Sequence, residues 1–90
     1  MRITLKAGGQ ARVVLNTTAP ATEGGDHWIV KLKSGKIVAR ESHANGWSVV
    51  EADAGHVDIQ APPRCEAGTY LVGMREKREE AYRAGQFQIL

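Results

Sequence analysis

Glu66-Ala67-Gly68-Thr69-Tyr70-Leu71-Val72 is the stretch on which the reading of this chain turns. Gly68 lets the backbone turn tightly, with φ values that a Cβ disfavours. It leads into a strand predicted from Thr69 to about Met74, and a return strand follows from about Tyr82 to Leu90, with Phe87 and Ile89 on one face. Between them, Glu76 to Ala84 is rich in Glu, Lys, Arg and Ala, and Gly85 would suit a helix end. That stretch is short for an autonomous helix and its one large apolar residue is Tyr82. It reads as a long hairpin tip with room for a helical turn.

Working back toward the start, period-2 alternation dominates. Ile3, Leu5 and Ala7 share a face until Gly8-Gly9 ends the run. Val13 and Leu15 then oppose Arg12, Val14 and Asn16. Thr17 to Asp26, with Pro20 and Gly24-Gly25, reads as a loop. Trp28, Val30 and Leu32 face one way, and Ile29, Lys31 and Lys33 the other, up to a Ser34-Gly35 turn and a short return strand from Lys36 to Glu41. Asn45-Gly46 is the strongest hairpin signal, because both central positions of a type I′ turn need positive φ. It leads into Trp47 to Glu51; Val57, Ile59 and Ala61 then alternate with His56, Asp58 and Gln60, and Pro62-Pro63 stops the strand.

Composition narrows the field further. Of 90 residues, 42% are hydrophobic and a large share of those are alanine, so the chain is expected to form one modest core and a single domain over residues 1–90. No apolar run is long enough for a transmembrane span, and the opening residues lack a continuous signal-peptide core, so no membrane role is expected. Twelve bases face ten acids, for a net charge of +2. The signs are mixed in the densest stretch, Arg75-Glu76-Lys77-Arg78-Glu79-Glu80, which reads as a solvated surface and argues against nucleic-acid binding. Cys65 stands alone, so no intramolecular disulfide forms, which fits synthesis in a reducing cytoplasm.

Seven to eight short antiparallel strands with turn signals roughly every eight to twelve residues suggest an all-β sandwich or small barrel. The Glu66–Val72 stretch resembles the "tyrosine corner" of immunoglobulin-like sandwiches, in which a tyrosine opening the sixth strand hydrogen-bonds to backbone a few residues upstream. Taken alone, Ala-Gly-Thr-Tyr is also an ordinary turn before an edge strand. Together with the length and strand count it points to an immunoglobulin-like β-sandwich. The resemblance places Val72 where such domains carry a cysteine, and makes Trp28, on a plausible third strand, the core tryptophan. Gly68, Tyr70, Val72 and Trp28 are thus the expected structural residues.

Most of the chain also resembles small immunoglobulin-like bacteriophage virion modules, such as the N-terminal domain of baseplate upper proteins and short accessory head or tail proteins. Three blocks carry that likeness: Ile3-Thr4-Leu5-Lys6-Ala7-Gly8-Gly9, Ala52-Asp53-Ala54-Gly55-His56-Val57, and Ala67-Gly68-Thr69-Tyr70 with the closing Gln86-Phe87-Gln88-Ile89. The loop from Thr17 to Asp26 and the charged Arg75–Glu80 tip depart from the pattern. What the resemblance implies is a non-enzymatic structural or accessory protein of the virion: a head decoration, baseplate or tail component. It would be oligomeric or multicopy and held by contacts with other virion proteins.

No residue set is assigned as catalytic, cofactor-binding or metal-binding, and no cofactor is implied. His27, His43 and His56 match no zinc spacing. Asp53, His56 and Asp58 could converge on a cation, but they read better as a polar outer face opposite Val57 and Ile59. Asp26-His27 is not accompanied by a nucleophile elbow. Trp47, just past a turn, is the possible partner contact, and a small carbohydrate- or ligand-binding adhesive module built on it is the alternative function. A core position opposite Val49 explains Trp47 as well.

Overall fold

The computed structural model describes residues 3–16, 26–53, 55–75 and 83–90. Among these residues eight strands are formed: β1 (Thr4–Leu5), β2 (Gln10–Val14), β3 (Asp26–Lys31), β4 (Lys36–Ala39), β5 (Ser48–Asp53), β6 (His56–Gln60), β7 (Gly68–Arg75) and β8 (Arg83–Ile89). They build two sheets, one of five strands in the order β1-β8-β7-β3-β4 and one of three in the order β2-β6-β5. The pairings are antiparallel with one exception. β1 runs parallel to β8, with Thr4 against Gln88 and Leu5 against Ile89, so the expectation of an entirely antiparallel arrangement is corrected at that edge. In immunoglobulin terms β2, β6 and β5 correspond to the B, E and D strands, and β8, β7, β3 and β4 to G, F, C and C′. The fold is an immunoglobulin-like β-sandwich.

Alternation does place the core across much of the chain. Val13 and Leu15, Val57 and Ile59, Val49, Tyr70 and Val72, and Phe87 and Ile89 all point between the sheets and are almost fully buried. Arg12, Val14, Asp58 and Gln60 stay on the outer or half-exposed side. The paired ends Met74 and Arg83 bound the β7–β8 hairpin. The expected helical turn near its tip, and the Thr17–Asp26 loop up to residue 25, lie outside the described residues.

Three local readings are corrected. Asn45 and Gly46 do adopt the positive φ of a type I′ turn, 55° and 85°, and Trp47 N–H donates to Ala44 C=O at 2.9 Å. The turn does not close a hairpin, however: β4 pairs with β3 in one sheet while β5 pairs with β6 in the other, so it lies on the crossing between sheets. On β3 the faces are opposite to expectation. His27 and Ile29 point inward, Ile29 with no exposed surface, while Trp28 and Val30 are only half-buried. Finally, Gly85 sits inside β8 opposite Val72 rather than at a helix end.

At Gly85, β8 closely approaches β2 of the other sheet. A Cβ there would stand 2.4 Å from the Val14 carbonyl oxygen and 2.8 Å from Val13 Cγ1. Just beside it, Asn16 closes the edge of β8: its backbone N–H donates to Ala84 C=O at 2.7 Å, and its side-chain Oδ1 accepts from Ala84 N–H at 3.0 Å. Unpaired strand edges invite association, and here the asparagine stands in for a neighbouring strand. Gly85→Ala is therefore expected to cost about 2 kcal/mol or more through overpacking against backbone. Gly35→Ala, whose Cβ meets nothing within 4 Å, should cost about 1 kcal/mol from its positive φ alone. Urea unfolding of the two variants checks the order.

Candidate protein-interaction face

β3 carries apolar side chains on both faces. Inside are His27 and Ile29; outside are Trp28 and Val30. The inverted reading of this strand has a physical cause: Lys31 shares the inward face with Ile29, and a lysine so placed suggests an exposed face. At the end of the sandwich Lys31 escapes burial by extending its stem along the corner to the Glu66 carboxylate. The more apolar face is thus left pointing outward, where register builds it into a patch. Val30 lies between Ile37 of β4 and Leu71 of β7, and Ile37 is 41% exposed. A bulge on β4 sets this row, since Ile29 pairs with Ala39 and Val30 with Ile37, skipping Val38. One step along, Trp28 packs against its register partner Gly73, where an added Cβ would fall 2.6 Å from Cζ2 of the indole. An apolar row on an outer sheet face, with Ile37 exposed and Val30, Leu71 and Trp28 half-buried, is a candidate for contact with a partner.

Behind this face, the corner is fastened at Tyr70. Its hydroxyl donates to the Glu66 carbonyl at 2.7 Å, and its ring stacks on Phe87, its register partner on β8, at 5.6 Å and 13°. Trp47 completes the aromatic cluster, 5.4 Å from Tyr70 and 5.9 Å from Phe87 in an edge-on arrangement. Gly68 takes φ 145°, and a Cβ there would stand 3.2 Å from Lys31 Cε, so the glycine leaves room for the lysine stem that reaches Glu66. The hydrogen bond from Lys31 holds the Glu66 carboxyl below its usual range. Burial pushes the Tyr70 phenol up, with Cys65 adding to it.

These positions revise the sequence-based assignments. Trp28 is an outer-face residue, not the core tryptophan; the buried tryptophan is Trp47, at 4% exposure. At 4% exposure Trp47 offers only a ring edge to the surface, too little for the exposed partner contact or sugar platform expected of it. Val72 is fully buried in the core. Cys65 is a half-buried thiol, and burial raises its pKa, the opposite of what a nucleophile needs. Asp58 does not join Asp53 and His56. It faces Arg12 across β2 and β6 and receives Nε at 2.9 Å and Nη2 at 3.2 Å, while Asp53 Oδ1 lies 2.7 Å from His56 Nδ1. Both aspartates are lowered from their usual range by these hydrogen bonds.

One constellation was not legible in advance. His27, 4% exposed, has Nδ1 3.3 Å from Ser42 Oγ and Nε2 3.2 Å from Glu51 Oε1. Hydroxyl and carboxylate occupy the ring nitrogens in the reverse of a hydrolase triad. Ser42 Oγ also accepts the His27 backbone N–H at 3.2 Å, and the Ser42 carbonyl accepts Val49 N–H at 2.9 Å. The serine braces the crossing loop to both sheets. The three residues lie on separate segments, and no spacing in the chain announces them. Asp26, the acid beside His27 in sequence, has its side chain outside the described residues.

No protein-family model matches the chain, and no curated protein matches it in sequence. Solved structures of similar fold include the ZIG-8–RIG-5 IG1–IG1 heterodimer, with a TM-score of 0.55 and 16% identity over 99% of this chain and 79% of that one. The ZIG-8 IG1 homodimer is also similar, with a TM-score of 0.53 and 18% identity over 98% and 77% of the two chains. At such identity the likeness establishes the immunoglobulin-like fold.

Two measurements test the corner and the surface ion pairs. Tyr70→Phe keeps the ring stack and removes the hydroxyl, so urea unfolding should show a loss of about 1 kcal/mol; a change near zero would mean that the hydroxyl holds nothing. Asp53, Asp58 and Glu66 are all depressed in the folded state, so each contributes stability above its unfolded pKa and loses it as pH falls through the lower folded value. The urea midpoint should decline as pH drops below about 4, and Asp58→Asn combined with Glu66→Gln should flatten that decline.

Proposed function

We propose that this chain is a non-enzymatic, immunoglobulin-like building block that assembles by protein–protein contact through the outer face of its five-stranded sheet. The observation that carries the proposal is the outward apolar row of Ile37, Val30 and Leu71 beside Trp28 on Gly73. A second copy is the partner we infer first: the similar immunoglobulin-like structures are a homodimer and a heterodimer of such domains, and a flat apolar sheet face suits pairing with itself about a two-fold axis. The setting we propose is a bacteriophage virion, as a multicopy head, baseplate or tail component. Its support is the sequence resemblance through Ile3–Gly9, Ala52–Val57 and the closing strands. An adhesive sugar-binding module is less well supported, because Trp47, the aromatic it relied on, is buried.

Sedimentation over a concentration series tests the face. The wild type should dimerise, and Leu71→Arg should remain monomeric, with an unchanged urea midpoint at concentrations where the wild type is also monomeric, because Leu71 points away from the core. A wild type still monomeric at about 1 mM, where any micromolar complex would have formed, would refute self-association. Mass spectrometry of purified particles from an infected culture tests the setting: absence of the protein from them would refute it.

A further inference from the structure

A cleft of about 440 Å³ opens beside the tyrosine corner, between the β3–β4 turn and the segment from Pro62 to Glu66. Its apolar lining includes Val38, Ile37 and Pro62, with the edges of Trp47 and Tyr70. Around it stand three cations, Lys31, Lys36 and Arg64, against a single acid, Glu66. That acid is already engaged by Lys31. Lys36 acts on it only through space, and neither Lys36 nor Arg64 has an ion-pair partner within 4 Å among the described residues. Two spare positive charges therefore border an apolar trough.

Among the described residues, two other concave surfaces compare poorly. On the outer face of the three-stranded sheet, Arg12 and Asp58 neutralise each other in a two-pronged pair. The hollow near Asn16 and Gln86 has no charged lining.

We propose that this cleft binds a short acidic peptide segment of a partner protein, seating an apolar side chain on Val38 and Pro62 while an adjacent carboxylate meets Lys36 and Arg64. Charge complementarity selects the occupant. A neutral apolar segment would leave both cations without a counter-charge, and a basic one would be repelled, whereas a carboxylate beside an apolar residue satisfies both halves of the cleft. Charge-assisted contacts of this kind, at a partly desolvated rim, give orientation and specificity. The half-buried thiol of Cys65 lines the same cleft and supplies a local reporter. This site goes beyond self-association through the outer sheet face, and it stands or falls separately.

The test uses the full chain, ¹⁵N-labelled, titrated with acetyl-Leu-Glu-Leu-Asp-Leu-amide and with its Gln/Asn counterpart. Expected is a saturable shift of the amides of Lys36, Val38, Asn45 and Cys65 with the acidic peptide, and binding at least tenfold weaker for the neutral one. Occupancy should slow alkylation of Cys65 by iodoacetamide. Lys36→Glu with Arg64→Glu should abolish the shifts while the spectrum stays that of a folded chain; Lys36→Gln with Arg64→Gln serves if charge reversal disturbs folding. Leu71→Arg should leave peptide binding unchanged, which separates this site from the outer face. High salt should weaken binding, since the Debye length is about 3 Å at 1 M. Equal affinity for the neutral peptide, shifts confined to other residues, or no saturable shift would each overturn the proposal. So would inorganic phosphate competing as well as the peptide does, because the cleft would then be a simple anion site.

Discussion

Tyr70 holds the start of β7 against the segment that crosses between the two sheets, and much of the molecule's geometry follows from that attachment. Its hydroxyl is bonded to the Glu66 carbonyl, which sets where the chain enters the middle strand of the five-stranded sheet. β8 lies on one side of that strand and β3 on the other, so their register is tied to the same point. The ring of Tyr70 is also shared between Phe87 and Trp47. One residue therefore couples a backbone crossing to the largest aromatic contact of the core. The Lys31–Glu66 pair fastens the outside of the corner, although exposed ion pairs of this kind contribute little to stability by themselves.

The far end of the sandwich is held by different means. There β2 and β8 approach so closely that only glycine fits at position 85, and Asn16 supplies both a donor and an acceptor to Ala84. On another side, His27, Ser42 and Glu51 form a polar clasp across both sheets and the crossing loop. Antibody domains place a disulfide between the sheets; here Val72 is fully buried on β7 and Cys65 remains a free thiol near the corner. Close packing and buried hydrogen bonds take over the task of holding the sheets in register, and such contacts are sensitive to single-atom changes.

Two surfaces lie beside one another. The outer face around Val30 and Leu71 carries an apolar row; the cleft beneath Lys36 and Arg64 is apolar at its floor and cationic at its rim. Ile37 borders both. Interfaces commonly combine an apolar centre with a charged periphery, and the bulge on β4 that turns Ile37 outward brings the two surfaces together.

Alternation along the chain was sufficient to locate the strands and, for β2, β6 and β8, to say which residues are buried, because the polar side chains there gather on the outer face. The tyrosine corner was legible because its residues lie close together in sequence. On β3 alternation had no such power: Trp28 and Val30 compete with Ile29 for the interior, and the lysine beside Ile29 tips the local reading the wrong way. Pairing with β7 decided it. Gly73 has no side chain to offer the core and gives Trp28 a seat outside, while Val72 meets Ile29 within. Asn45-Gly46 likewise determined a turn but not which strands it joins, since turn dihedrals are local and sheet membership is not. The clasp around His27 and the cationic cleft depend on residues far apart in the chain, and only the packing of one sheet on the other brings them together.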